Sequence, residues 1–114
     1  MLRTLVFGSL VLTVLATSAA AEEGEAFAFD NGDTLLRYCK EEDDPFASGY
    51  CMGVIIGSHD ALTWGHTKFC KPRDIVVQQI RDIVVQYLDR NPEKRHLVAT
   101  ELVYFALKEQ FPCP

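Results

Sequence analysis

The chain has 114 residues, 11 of them basic and 16 acidic, and a net charge of −5 with the histidines neutral. That sign argues against nucleic acid and against anionic membrane surfaces as partners. The first 21 residues read apart from the rest. Arg3 gives a minimal positive start, residues 5–16 are apolar except for Gly8, Ser9 and Thr13, and Ala19-Ala20-Ala21 meets the small-x-small rule for signal-peptidase cleavage. The apolar run is short for a membrane span and is followed at once by Glu22, Glu23 and Glu25. Cleavage after Ala21 leaves 93 residues, read as one exported, soluble domain over 22–114.

In chain order, residues 22–29 form a lead-in whose Phe27 and Phe29 are available to the core. Asn31-Gly32-Asp33 supplies turn and N-cap chemistry for a first short helix over 34–42, with Leu35, Leu36 and Cys39 inward. An acidic turn then leads to a second helix over about 45–64. This helix carries small residues at every fourth position, Gly49, Gly53, Gly57, Ala61 and Gly65, a stripe where another backbone approaches closely. A tight crossing inside the monomer is the plainer reading of that stripe; a dimer seam is the functional one.

The third helix is expected over 73–89 and holds the hexapeptide Arg-Asp-Ile-Val-Val-Gln twice, at 73–78 and 81–86. At 100° per residue Val76, Val77, Ile80, Ile83, Val84, Tyr87 and Leu88 share a core-facing arc, leaving Ile75 and Val85 among polar residues as a candidate dimer interface. Asn91-Pro92 ends this helix and starts the fourth, with Asn91 as N-cap, and the fourth continues to about 111. Its apolar residues point most of the way round, so it is expected to be central. The fold class is all-α, a small bundle of about four helices.

Four cysteines in an exported chain point to two disulfides. Cys70 and Cys113 are equidistant from the turn at Asn91-Pro92, and Cys39 and Cys51 from Pro45. Pairing Cys39–Cys51 and Cys70–Cys113 satisfies both antiparallel hairpins, which the two other connectivities do not. No C-x-x-C-H, paired C-x2-C or clustered histidines occur, so neither heme nor zinc is expected, nor any other cofactor. His59 and Asp60 point about 100° apart on a helix, which disfavours a catalytic dyad. Ser48 and Ser58 lie in no nucleophile elbow, and there is no phosphate loop. The expected work is binding, not catalysis.

Several ordered elements match a known pattern: Asp30-Asn31-Gly32 with Leu35-Leu36 and Cys39, then Cys51-Met52-Gly53-Val54-Ile55-Ile56-Gly57 with Asp60-Ala61. Cys70-Lys71-Pro72, Tyr87-Leu88 before Asn91-Pro92, Ala99 with Leu102-Val103 and Ala106-Leu107, and the closing Phe111-Pro112-Cys113 complete it. Together they resemble the Rap/Tai immunity family of Gram-negative bacteria across nearly the whole mature chain. The resemblance implies a periplasmic, usually homodimeric helical protein that binds a cognate peptidoglycan amidase effector of type VI secretion and blocks its cleft. An acid-stress periplasmic chaperone without a dedicated toxin is the alternative.

A surface able to enter a cleft from a rigid scaffold is expected in two places. One is the turn 89–96, with Arg90, Asn91, Glu93, Lys94 and Arg95; the other is the polar face of helix three, with Gln78, Gln79, Asp82 and Gln86.

Overall fold

A computed structural model describes residues 30–65 and 68–114. The expected leader with its cleavage site, the lead-in phenylalanines Phe27 and Phe29, and His66 lie outside the described residues. The chain is all-α: α1 (Gly32–Lys40), α2 (Pro45–Trp64), α3 (Val77–Arg90), a 3-10 turn (Pro92–Lys94) and α4 (Ala99–Gln110).

The first two helices start where local chemistry says they should. The Asn31 side chain accepts from the Thr34 N–H at 3.0 Å, satisfying one of the unpaired amides at the start of α1. Gly32 is buried, and a Cβ there would lie 2.5 Å from Leu102 Cδ1 and 2.9 Å from the Arg95 backbone, so this approach needs glycine. The Asp44 carboxylate accepts from the amides of Phe46 at 2.9 Å and Ala47 at 3.3 Å, with Pro45 in the first turn of α2.

The third helix begins later than its sequence pattern predicts. It starts at Val77, not 73, with Val76 extended at its N-cap and the Gln79 side chain accepting from the Val76 N–H at 3.0 Å. Ile75 therefore precedes the helix, and the wheel phase assigned to it does not apply. Val76 and Val77, expected on the core arc, are 58% and 37% exposed, whereas Ile80, Val84, Tyr87 and Leu88 are buried as expected.

The fourth helix is also shorter than predicted, because residues 95–98 are taken out of it by the N-terminal end of the domain. Asn31 and Val98 form an isolated antiparallel bridge. Gly32 N–H donates to Leu97 O at 3.1 Å, Asp33 N–H to Arg95 O at 3.1 Å, and Ala99 N–H to Asp30 O at 3.1 Å. Backbone amides and carbonyls committed to this bridge cannot propagate a helix. Asn91 sits at the N-cap of the 3-10 turn, not of α4, and makes no side-chain cap bond there; its side-chain amide donates back to the Tyr87 carbonyl at 2.8 Å, closing the C-terminus of α3.

All four helices feed one core, in which Leu35, Ile55, Val84, Leu88, Leu102, Val103 and Leu107 are fully buried. Both predicted disulfides are present. Cys39–Cys51 lies inside the core, with Cα atoms 5.0 Å apart and the two residues 1% and 0% exposed. Cys70–Cys113, with Cα atoms 4.9 Å apart, is exposed and ties residues 68–76 to the tail, beside a Cys70 N–H to Phe111 O bond of 2.8 Å. Burial missed by the hydropathy pattern is that of Arg81, 8% exposed. Its guanidinium donates to the Cys39 carbonyl at the end of α1, to Glu42 Oε1 at 2.6 Å and to Asp82 Oδ1 at 3.0 Å. A cation at a helix C-terminus, with paired carboxylates, offsets the cost of burying it.

Candidate functional site: two polar surfaces and a lined cavity

The residues proposed for partner contact fall into two separate groups. Gln78, Gln79 and Asp82 lie exposed on the first turns of α3, and the Gln78 side chain donates to Asp82 at 3.4 Å. At the other end of α3, Arg90 is exposed and pairs with Glu109 of α4 at 3.1 Å, while Glu93 is exposed in the 3-10 turn. At the helical rise of 1.5 Å per residue, Gln78 and Arg90 are roughly 18 Å apart along α3, so they make two patches rather than one. Asn91 and Arg95 are half-buried and already employed. Arg95 folds over the C-terminus of α3, donating to Leu88 O at 2.7 Å and Asp89 O at 3.2 Å, where a cation meets the negative end of the helix.

The two residues proposed for a dimer interface, Ile75 and Val85, are each half-buried and packed against the core. Among the described residues, an open apolar surface lies on α2. A Cβ added to Gly49, Gly53 or Gly57 would meet nothing within 4 Å, so the small-residue stripe is not an internal helix crossing. The same outward side carries Phe46, 68% exposed, and Trp64, 87% exposed. Tyr50, beside it, donates to Asp30 Oδ2 at 3.0 Å; that bond to a carboxylate raises the phenol above its ordinary pKa of 10.0.

Between α2 and the segment that leads into α3 lies a cavity of about 280 Å³. Ile55, Ile56, His59 and Asp60 line it from α2, and Lys71, Ile75, Val77 and Ile80 from the opposite wall. The sequence reading kept His59 and Asp60 apart. They meet nonetheless, His59 Nδ1 to Asp60 Oδ1 at 2.9 Å, because side-chain torsions span the rotation between successive helix positions. An ionised carboxylate only accepts, so Nδ1 carries the proton and, in the neutral ring, Nε2 presents a lone pair. That Nε2 is buried and has no hydrogen-bond partner among the described residues. The ring itself sits 5.9 Å from Phe69, centroid to centroid. The neighbouring Ser58 hydroxyl is engaged with Thr100 Oγ1 at 3.2 Å. The cavity escaped the sequence reading because Ile75 and Val77 were assigned to a regular helix and Lys71 to a bare loop.

Among the described residues no group of three or more His, Cys, Asp or Glu side chains is placed to hold a metal ion. No described helix is long and apolar enough to cross a membrane. No curated protein matches the chain. The family model for Rap1a immunity proteins matches residues 31–113, from the cap of α1 to the last cysteine of the second disulfide. With both disulfides, all four helices and the Asn31–Val98 bridge inside the matched span, the chain belongs to the Rap1a immunity proteins, a family whose members act against secreted effectors.

Proposed function

We propose that the protein works in the periplasm, after signal-peptide cleavage, and neutralises a peptidoglycan amidase effector of type VI secretion by occluding its active-site cleft. The observation that carries this reading is the family match over the entire stapled helical body. The exposed polar ends of α3 supply the contacts: Gln78, Gln79 and Asp82 at one end, Arg90 and Glu93 at the other. Arg95 and Asn91 hold the second patch in shape through their bonds to α3 carbonyls. Two disulfides keep the scaffold from rearranging, so little ordering entropy is lost on binding.

A homodimer belongs to the same proposal. The outward side of α2 is palindromic about residue 55: Gly53 mirrors Gly57, Gly49 mirrors Ala61 and Phe46 mirrors Trp64. Antiparallel pairing of two copies therefore sets small residues against small and aromatic against aromatic, the self-matching a two-fold interface requires. Asp60 is the only Asp, Glu, Lys or Arg on α2, which lets two acidic molecules approach there.

The test is inhibition of purified type VI amidases. The protein is expected to abolish peptidoglycan cleavage by its cognate enzyme at about one equivalent, with Arg90→Ala/Glu93→Ala or Gln79→Ala/Asp82→Ala weakening binding at least about tenfold, or about 1.4 kcal/mol. Full amidase activity in the presence of excess protein, across the amidases the producing cells export or receive, overturns the reading.

A further inference from the structure

We propose that the Cys70–Cys113 disulfide is a thiol-sensitive latch on the start of α3. Opening it, with Cys39–Cys51 left intact, lets the helix grow back from Val77 to about residue 73. The switch rests on the fold alone, and the immunity reading enters for its consequence at Gln79. The two disulfides differ in access. Cys39 and Cys51 are 1% and 0% exposed inside the core, whereas Cys70 and Cys113 are both exposed. Exchange requires a thiolate to reach one of the sulfurs, so a reagent meets the exposed pair directly and the buried pair after the core opens.

The segment behind the latch has a second conformation written in its sequence. Residues 73–78 and 81–86 are identical, and the second copy is helical throughout. Pro72 suits the first position of a helix, and Asp74 suits the first turn, where the dipole favours a carboxylate. A helix continued to residue 73 carries Val76 and Val77 onto the arc of Ile80, Val84 and Leu88. In the stapled chain those two valines are 58% and 37% exposed. The cavity of about 280 Å³ between Ile75 and Val77 on one wall and Ile55 and His59 on the other leaves room for the change.

What opposes the change sits at the two ends of the segment. At one end are the staple and the Cys70 N–H bond to Phe111 O at 2.8 Å. At the other, the Gln79 side chain accepts from the Val76 N–H at 3.0 Å. That cap is one local bond, and a continued helix gives the same amide the Pro72 carbonyl four residues back. Gln79, proposed to meet the effector, is then released, so the state of the staple reaches the polar patch on α3. The trigger is a dithiol. Its thiolate attacks one sulfur of the staple, forming a mixed disulfide and expelling the other cysteine as a thiolate that takes up a proton. Its second thiol then closes on the mixed disulfide, leaving two protein thiols and a reagent oxidised by two electrons.

The experiment treats the folded, oxidised protein with excess dithiothreitol in the absence of denaturant. Samples are quenched with N-ethylmaleimide and mapped by mass spectrometry. Cys70 and Cys113 are expected to be labelled at least about a hundredfold faster than Cys39 and Cys51, which wait on opening of the core. With the staple open, amides at 74–76 are expected to exchange at least about tenfold more slowly than in the oxidised protein, as an added turn of helix requires. Cys70→Ser/Cys113→Ser should show the same protection without reagent. Opening of both disulfides together, earlier labelling of Cys39 or Cys51, or exchange at 74–76 that is unchanged or faster once the staple is open each overturns the proposal. No effector is present in any arm, so a failure here is separate from a failure to inhibit an amidase.

Discussion

The same six residues, Arg-Asp-Ile-Val-Val-Gln, occur at 73–78 and at 81–86, and the molecule uses them in opposite ways. The first copy lies mostly before α3, with Arg73 and Asp74 exposed, Ile75 on the cavity wall and Val76 58% exposed. The second is wholly inside α3, where Arg81 is buried against the end of α1 and Val84 is completely covered. The six residues are identical, so their own propensity does not explain the difference; their surroundings do, with Pro72 before the first copy and Gln79 capping Val76. Tertiary constraint adds to this. Cys70, three residues before the first copy, is tied to the tail through Cys113, and the chain from there to Val77 follows the disulfide instead of the helix. The second copy is far enough along to lie between α1 and α4.

The largest expected effect comes from releasing that constraint. Cys70→Ser with Cys113→Ser opens a span of 43 residues and should cost about 4 kcal/mol of stability on the loop-entropy relation. The released first copy should then extend α3 towards residue 73, visible as amide-exchange protection at 74–76. Helix that does not lengthen would show that the lead-in segment is held by something other than the disulfide.

Next, Arg81→Ala should cost about 3 kcal/mol, since it strands the Cys39 carbonyl and Glu42 beside the buried disulfide. The matching Arg73→Ala should stay within about 0.5 kcal/mol, as exposed substitutions do. Urea melts of the pair measure this difference directly, and equal losses would break the comparison. Smaller again, Val84→Ala should cost about 2 kcal/mol by leaving a cavity in the core. Val76→Ala, its counterpart, should be close to neutral. A Val76→Ala cost near that of Val84→Ala would mean that Val76 is covered in solution, as by a second copy or an effector.

What could be read from the sequence follows the range of the interaction concerned. Asp44-Pro45 and Asn31 mark their helix starts through bonds to amides two or three residues away, and α2 was placed to the residue. Both disulfides follow from hairpin symmetry, the helical class from apolar periodicity and turn residues, and the family likeness from the ordered motifs. The starts of α3 and α4 differ from the apolar pattern because contacts outside that pattern set them: the Gln79 cap and the Cys70–Cys113 staple in one case, the bridge to Asn31 in the other. The open face of α2 was misjudged for a related reason: a small-residue stripe tells how closely something can approach, not whether anything does. The His59–Asp60 contact was missed by treating side chains as rigid spokes, and the cavity behind it needed three segments to be placed together.

The bridge between Asn31 and Val98 also sets an order of events. It joins residues 67 positions apart, and the Gly32 packing against Arg95 and Leu102 depends on the same late-arriving stretch. A chain that emerges N-terminus first has its α1 sequence waiting, capped but unanchored, until nearly all of the domain has appeared. Closure entropy over so long a loop is a cost met before the bridge returns any stability. Cys39, held on that waiting helix, is meanwhile free to find Cys51 twelve residues on, well before Cys70 has its partner. The topology thus favours making the short disulfide first and the long one last.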